Sequence, residues 1–98
     1  MTCKDFPPIH PGEVLLEEFL NPLNMSQNRL ALKMGVPAQM INEIVHGRRS
    51  ITARTALALA RALETTAEFW MGLQSDFDLE TERDAQGEGC PEAERVLA

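Results

Sequence analysis

The chain is short of what a membrane protein, a disulfide scaffold or an enzyme needs. No apolar run approaches the ~18 residues of a membrane span. The opening "MTCKDFPPIHPGE" has no basic segment followed by an apolar one, so no export signal is expected and a cytoplasmic location is. Cysteine is scarce: Cys3 and Cys90 sit toward opposite ends, which favours a reduced pair over a disulfide. With His10 and His46 as the only histidines, and no ligand spacing around them, no metal or cofactor is expected. There is no nucleophile–base pair and no glycine-rich phosphate loop, so catalysis is not expected. Internal repeats and sustained strand-like alternation are also missing, which leaves an all-α domain.

What is present is an uneven distribution of charge. The 98 residues carry a net charge of −6, which by itself argues against a nucleic-acid partner. The balance differs along the chain. Residues 1–25 sum to −3 and residues 62–98 to −8, whereas residues 26–61 sum to +5. That middle holds Arg29, Lys33, Arg48, Arg49, Arg54 and Arg61 against Glu43 alone. A basic centre between acidic ends is a more informative feature than the total.

Helix signals divide residues 9–80 into five segments. Pro11 opens the first, with Val14, Leu15, Leu16, Phe19 and Leu20 as its apolar side, and Pro22 is expected to end it. Ser26 caps the second, which carries Leu30, Ala31 and Met34 at helical spacing and stops at Gly35. Pro37 starts the third, with Ile41, Ile44 and Val45 inward and Gln39, Asn42, Glu43 and His46 outward. Thr52 caps the fourth, where Ala56, Leu59, Ala60 and Leu63 face inward. "TTAE" reads as a capping box, Thr65 pairing with Glu68, and opens the fifth helix through "FWMGLQSDF". Residues 1–8 are expected to be a flexible segment. Residues 81–98, acidic and without apolar period, are expected to be a disordered tail.

The second and third helices, Ser26–Met34 and Pro37–His46, are short and joined by a tight glycine-containing turn, the signature of a helix-turn-helix. The amides of Gln39 and Asn42 both donate and accept, so they suit base edges in a major groove. The hydroxyls and arginines around them suit phosphates. Ser26, Gln27 and Thr52 stand at helix N-termini, whose free N–H groups attract anions. Glu43 fits least well, because phosphates repel a carboxylate unless it accepts from cytosine. Helix-turn-helix proteins pair to place two recognition helices in successive major grooves of a palindrome. The apolar residues Trp70, Leu73 and Phe77 in the fifth helix are the expected contacts of such a dimer, with the core as their alternative place.

The block from Ile9 to Glu80, with "INEIVHGRRSIT" and "EFWMGLQ" as its most specific strings, resembles the HigA family of addiction-module antitoxins. These belong to the lambda-repressor-like, Cro-type helix-turn-helix class. The resemblance implies a five-helix domain that binds double-stranded DNA as a homodimer at a palindromic operator and represses its own operon. It also implies a RelE-like endoribonuclease toxin as partner. Carried over residue by residue, it assigns Ala38, Gln39, Met40, Asn42 and Glu43 to base edges. Gln27, Arg48, Arg49, Ser50 and Thr52 fall to the DNA backbone. The chain departs from the family at Met40 and Ala58, where arginine is common, and at Arg54, where an acid is. Those departures leave the operator sequence open. Two rivals stand beside this reading: an orphan regulator without a toxin, and an interaction module that no longer binds DNA.

Overall fold

A computed structural model of the chain describes residues 8–87. Cys3 and Cys90 lie outside them, as does most of the expected flexible N-terminal segment. The described residues form five helices and no strand. The first, α1, is continuous but changes its winding: Pro11–Val14 is α-helical, Leu15–Leu20 π-helical and Asn21–Leu23 α-helical again. It is followed by α2 (Gln27–Met34), α3 (Ala38–Val45), α4 (Ala53–Leu63) and α5 (Ala67–Ala85).

Pro22 does not end α1 as expected. The Asn21 N–H reaches back five residues to the Leu16 carbonyl. The widened turn leaves room for the Pro22 ring in the final turn, where α winding would drive it into the preceding carbonyl. The helix stops instead at Asn24, whose backbone is left-handed at φ +55°. The five-residue register also brings Leu15 and Leu20 to the same side, and both are buried. Three of the other ends follow the sequence signals. The Ser26 hydroxyl accepts the Arg29 N–H at 3.0 Å, Gly35 closes α2, and the Thr52 hydroxyl accepts the Thr55 N–H at 3.4 Å. Pro37 is the residue just before α3 rather than its first.

The start of α5 is shifted by one residue. Its cap is Thr66, whose hydroxyl accepts the Phe69 N–H at 3.1 Å. Thr65 is committed elsewhere: its hydroxyl accepts the Trp70 indole N–H at 2.8 Å. A fully buried indole must place that proton, and Thr65 is the partner within reach. The far end is corrected too. Residues 81–85, expected in the disordered tail, continue the helix to Ala85. The stretch Leu79–Ala85 holds no glycine or proline and is rich in good helix formers, and Gln86 bonds back to Glu82 at 2.7 Å. The rest of the expected tail, from residue 88, lies outside the described residues.

The core joins all five helices through Leu15, Leu20, Leu30, Ala31, Ile41, Ile44, Leu59 and Trp70, with Ile51 from the α3–α4 loop and Ala56. Of the expected dimer contacts, Trp70 takes the alternative place in the core, and Leu73 and Phe77 are half-buried beside it. Trp70 is fully buried, Leu73 packs against the core, and the Phe77 ring meets His10 edge-on with centroids 4.8 Å apart. A fifth helix laid over a four-helix base needs its apolar stripe to attach itself, so these side chains are used within one chain.

The tightest approach is between α1 and α3. Gly12 is buried, and a Cβ there would lie 1.7 Å from the carbonyl oxygen of Ile44. Backbone meets backbone, so no side chain can move aside. Gly12→Ala is therefore expected to destabilise the fold by about 1–3 kcal/mol or more, the cost of an overpacked core. The urea midpoint checks this, and a midpoint equal to that of the wild type would show that α1 and α3 are not locked together.

Candidate nucleic-acid interface

Helix α3 is eight residues long, too short to persist alone. Ile41 and Ile44 are completely buried, which pins its inner side. Gln39 and Asn42 are consequently exposed on the outer side, with Glu43 half-buried beside them. The Asn42 side-chain N–H donates to Gln27 Oε1 at 3.2 Å, linking α3 to the first residue of α2. Gln27 keeps its own N–H₂ group to donate outward. Ala38 and Met40 do not stand with this group. Both are half-buried and packed on the core, so the structure places two of the five expected base-edge residues largely against the protein.

The loop after α3 brings Arg48, Arg49, Ser50 and Thr52 to the same end, all exposed. Arg49 Nε donates to Glu43 Oε1 at 2.8 Å, and Gln39 Nε2 donates to Glu43 Oε2 at 3.3 Å. The Arg49 hydrogen bond is the main reason the Glu43 carboxyl is held below the usual carboxylate range; desolvation opposes it, and the charge of Arg49, the Gln39 hydrogen bond and the charge of Arg48 add to it. Glu43 is thus ionised and paired. The two capping hydroxyls, Ser26 and Thr52, accept backbone N–H groups; Ser26 retains an O–H that can donate to an anion, while Thr52 Oγ1 also shares a hydrogen bond with Thr55 Oγ1 at 3.2 Å. Every basic residue of the middle segment is exposed, so its positive charge is available at the surface.

Two residues that position this face were not among the sequence candidates. Gln74, on α5, is buried; its Oε1 accepts the Ile51 N–H at 2.7 Å and its Nε2 donates to Asp78 at 2.9 Å. It anchors the end of the Arg48–Ser50 loop. The signal was a polar residue four positions after Trp70, on the same helical stripe. The second is His10. Its Nδ1 accepts the Gly12 N–H at 2.9 Å, capping α1, while its ring lies 3.8 Å from where a Cβ of Gly47 would be. Gly47 has φ +75°, a conformation glycine adopts without strain, and it turns the chain out of α3. His46 folds back, its Nδ1 within 2.8 Å of the Asn42 carbonyl.

These elements amount to a helix-turn-helix with its outer helix presenting amides between exposed cations. The helix-turn-helix family model matches residues 16–70. Virulence-associated protein I of Dichelobacter nodosus is 45% identical over 83 residues, 84% of this chain and 77% of that protein. Antitoxin HigA-1 of Vibrio cholerae is 39% identical over 72 residues, 74% of this chain and 68% of that one. A solved structure, Pseudomonas aeruginosa antitoxin HigA with the higBA promoter, superposes with a TM-score of 0.81 at 41% identity. It covers 93% of this chain and 99% of its own. The protein is of the helix-turn-helix class. Within it, the chain belongs to the HigA family of antitoxins, which are not enzymes.

His10 gives the support of this face a pH dependence. Burial, opposed by the charge of Asp78, lowers its pKa below the ordinary 6.5. Only the unprotonated Nδ1 can accept from Gly12. The unfolded chain therefore binds more protons than the folded one between the lowered value and 6.5, so stability rises with pH there. This contribution is complete above 6.5 and is lost as pH falls through the folded value. The melting temperature should drop between about pH 7.5 and about pH 5.5, and drop less in His10→Asn, whose amide can cap without titrating. An identical drop in both proteins would remove His10 as the cause.

Proposed function

We propose that the chain is a DNA-binding antitoxin that represses its own operon from a palindromic operator and neutralises a RelE-like endoribonuclease toxin. The observation that carries the DNA half is a single exposed face. There Gln39 and Asn42 of α3, Gln27 of α2 and the loop arginines stand together on a net positive segment. The relative solved with the higBA promoter and the one named HigA-1 support the same reading. Arg48, Arg49, Ser50, Ser26 and Thr52 take phosphates, and Gln39 and Asn42 read base edges. The toxin half draws support from the family and from the exposed acids Glu13, Glu17 and Glu18 on α1, a face suited to a basic partner. With no helix among the described residues long and apolar enough to cross a membrane, the reading places the complex in the cytoplasm.

On duplex DNA carrying its promoter palindrome, Arg48→Ala should weaken all sequences alike and reduce the salt slope by about one unit. Asn42→Ala should instead cost about 1–3 kcal/mol at particular base pairs and relax specificity there. Equal losses for both variants on palindrome and random DNA would count against base reading.

The dimer is built with the outer side of α5. Its inner stripe is occupied, which leaves Met71, Gly72, Ser75 and Leu79 facing away from the core. Met71 is 38% exposed and Leu79 50%, and no atom lies within 4 Å of a Cβ placed at Gly72, so a second helix has space to approach. A two-fold contact there is isologous, each subunit using the same patch. Met71→Glu with Leu79→Glu should give a folded monomer in sedimentation, with much weaker palindrome binding but still able to relieve growth arrest by the toxin reading frame beside the gene. A double variant that sediments as the wild type does would place the interface elsewhere. Growth arrest that the wild-type chain does not relieve would remove the toxin half.

A further inference from the structure

Glu43 is the one acid between Ser26 and Arg61, and its polar groups are unusually committed. Oε1 accepts from Arg49 Nε at 2.8 Å and Oε2 from Gln39 Nε2 at 3.3 Å. Its backbone carbonyl accepts the Arg48 N–H at 2.8 Å. One residue therefore grips both arginines of the loop and the amide one turn earlier on α3. Arg49 spends only Nε on this pair, and 47% of its side chain stays exposed, so its two Nη groups are free to meet an anion. The Glu43 side chain is 29% exposed, with its charge already matched by the guanidinium.

We infer that Glu43 is a positioning residue of the DNA interface: it holds the Arg49 guanidinium and the Gln39 amide in the orientation duplex DNA meets, and it accepts from no base. The inference rests on the DNA-binding reading above. Its physical basis is preorganisation. A long arginine side chain loses rotamer freedom when it binds a phosphate, and ordering it beforehand lowers that loss. Fixing Gln39 Nε2 on Glu43 sets which way the amide faces, so Oε1 is presented outward as an acceptor. Without that bond the amide turns freely and donor and acceptor exchange places. A carboxylate paired in this way also escapes the repulsion that an isolated one would meet beside phosphates.

The test uses two duplexes: one that the wild-type protein selects from a random-sequence library, and a scrambled duplex of equal length. Glu43→Gln keeps the shape and removes the negative charge. It should bind the scrambled duplex at least as well as the wild type does, and the selected duplex roughly tenfold less tightly, the scale of a coupled pair. Arg49→Lys keeps the positive charge but lacks the Nε edge, and should lose the same preference. The double variant should lose no more than either single one. Thermal melts establish that each variant is folded, and Arg49→Lys tests the pair independently if Glu43→Gln does not fold.

Three results overturn the inference. Tighter binding of Glu43→Gln to both duplexes equally makes Glu43 a bare repulsive charge. A loss confined to one C·G pair, abolished when that pair is replaced, makes Glu43 itself the base reader. Additive losses in the double variant make the two residues independent. If the wild type shows no salt-dependent preference for its selected duplex, the DNA-binding reading falls as well, a result distinguishable from the other three.

Discussion

The contact on which this molecule depends is the approach of the Gly12 backbone to the Ile44 carbonyl. The recognition helix is two turns long and has little stability of its own, so its position must be imposed from outside. Ile41 and Ile44 fix how it is rotated, because both side chains are fully buried. Neither fixes how far it sits along its axis or how closely it packs. The backbone contact at its C-terminal end sets both, and any side chain at position 12 would displace it. His10 completes the arrangement. It caps α1, lies beside Gly47 where the chain leaves α3, and rests against Phe77 of α5. Three helices thus meet at the point where the recognition helix ends.

Much of this architecture is legible in the sequence because it is decided locally. Ser26, Gly35 and Thr52 act within one or two turns of themselves, and the structure finds them at the helix ends where local chemistry places them. The order and class of the helices follow from the same short-range signals. What could not be read was decided by neighbours distant in sequence. Thr65 and Thr66 are both good caps, and the choice falls on Thr66 because the indole of Trp70 needs Thr65. Pro22 reads as a stop because α winding forbids it, yet a π turn admits it. Trp70, Leu73 and Phe77 form an apolar stripe whose spacing is the same whether it meets the chain's own core or a second copy. Gln74 escaped notice for the complementary reason: a polar residue on an apolar stripe looks like an interruption until its loop partner is known.

The polar face obeys a different economy. Several of its candidate DNA contacts are already hydrogen-bonded in the free protein, but with one part of each group. Ser26 accepts through oxygen and keeps a proton to donate. Gln27 accepts through Oε1 and keeps its N–H₂. Arg49 uses Nε and keeps both Nη groups. Exposed bonds of this kind add little stability, since an exposed ion pair contributes only about 0–1 kcal/mol. Their effect is to restrict orientation. A surface whose donors are already aimed loses less conformational freedom on meeting DNA than one whose side chains must first be ordered.

Helix α5 shows how a chain of this size separates support from assembly. It is 19 residues long, and its two sides differ in chemistry. The inner side carries Trp70 into the core and Gln74 to the Ile51 N–H, so it holds the loop that presents the arginines. The outer side offers Met71, Gly72 and Leu79, all exposed in the single chain. In the proposed dimer this division has a consequence. Because the buried amide joins α5 rigidly to the loop, the angle between two paired α5 helices would set the angle between the two recognition surfaces. Half-site spacing on DNA would then follow from helix packing and not from any contact with bases. In that dimer a substitution on the outer side would alter which spacing is bound, whereas one on the inner side would alter whether the face exists at all.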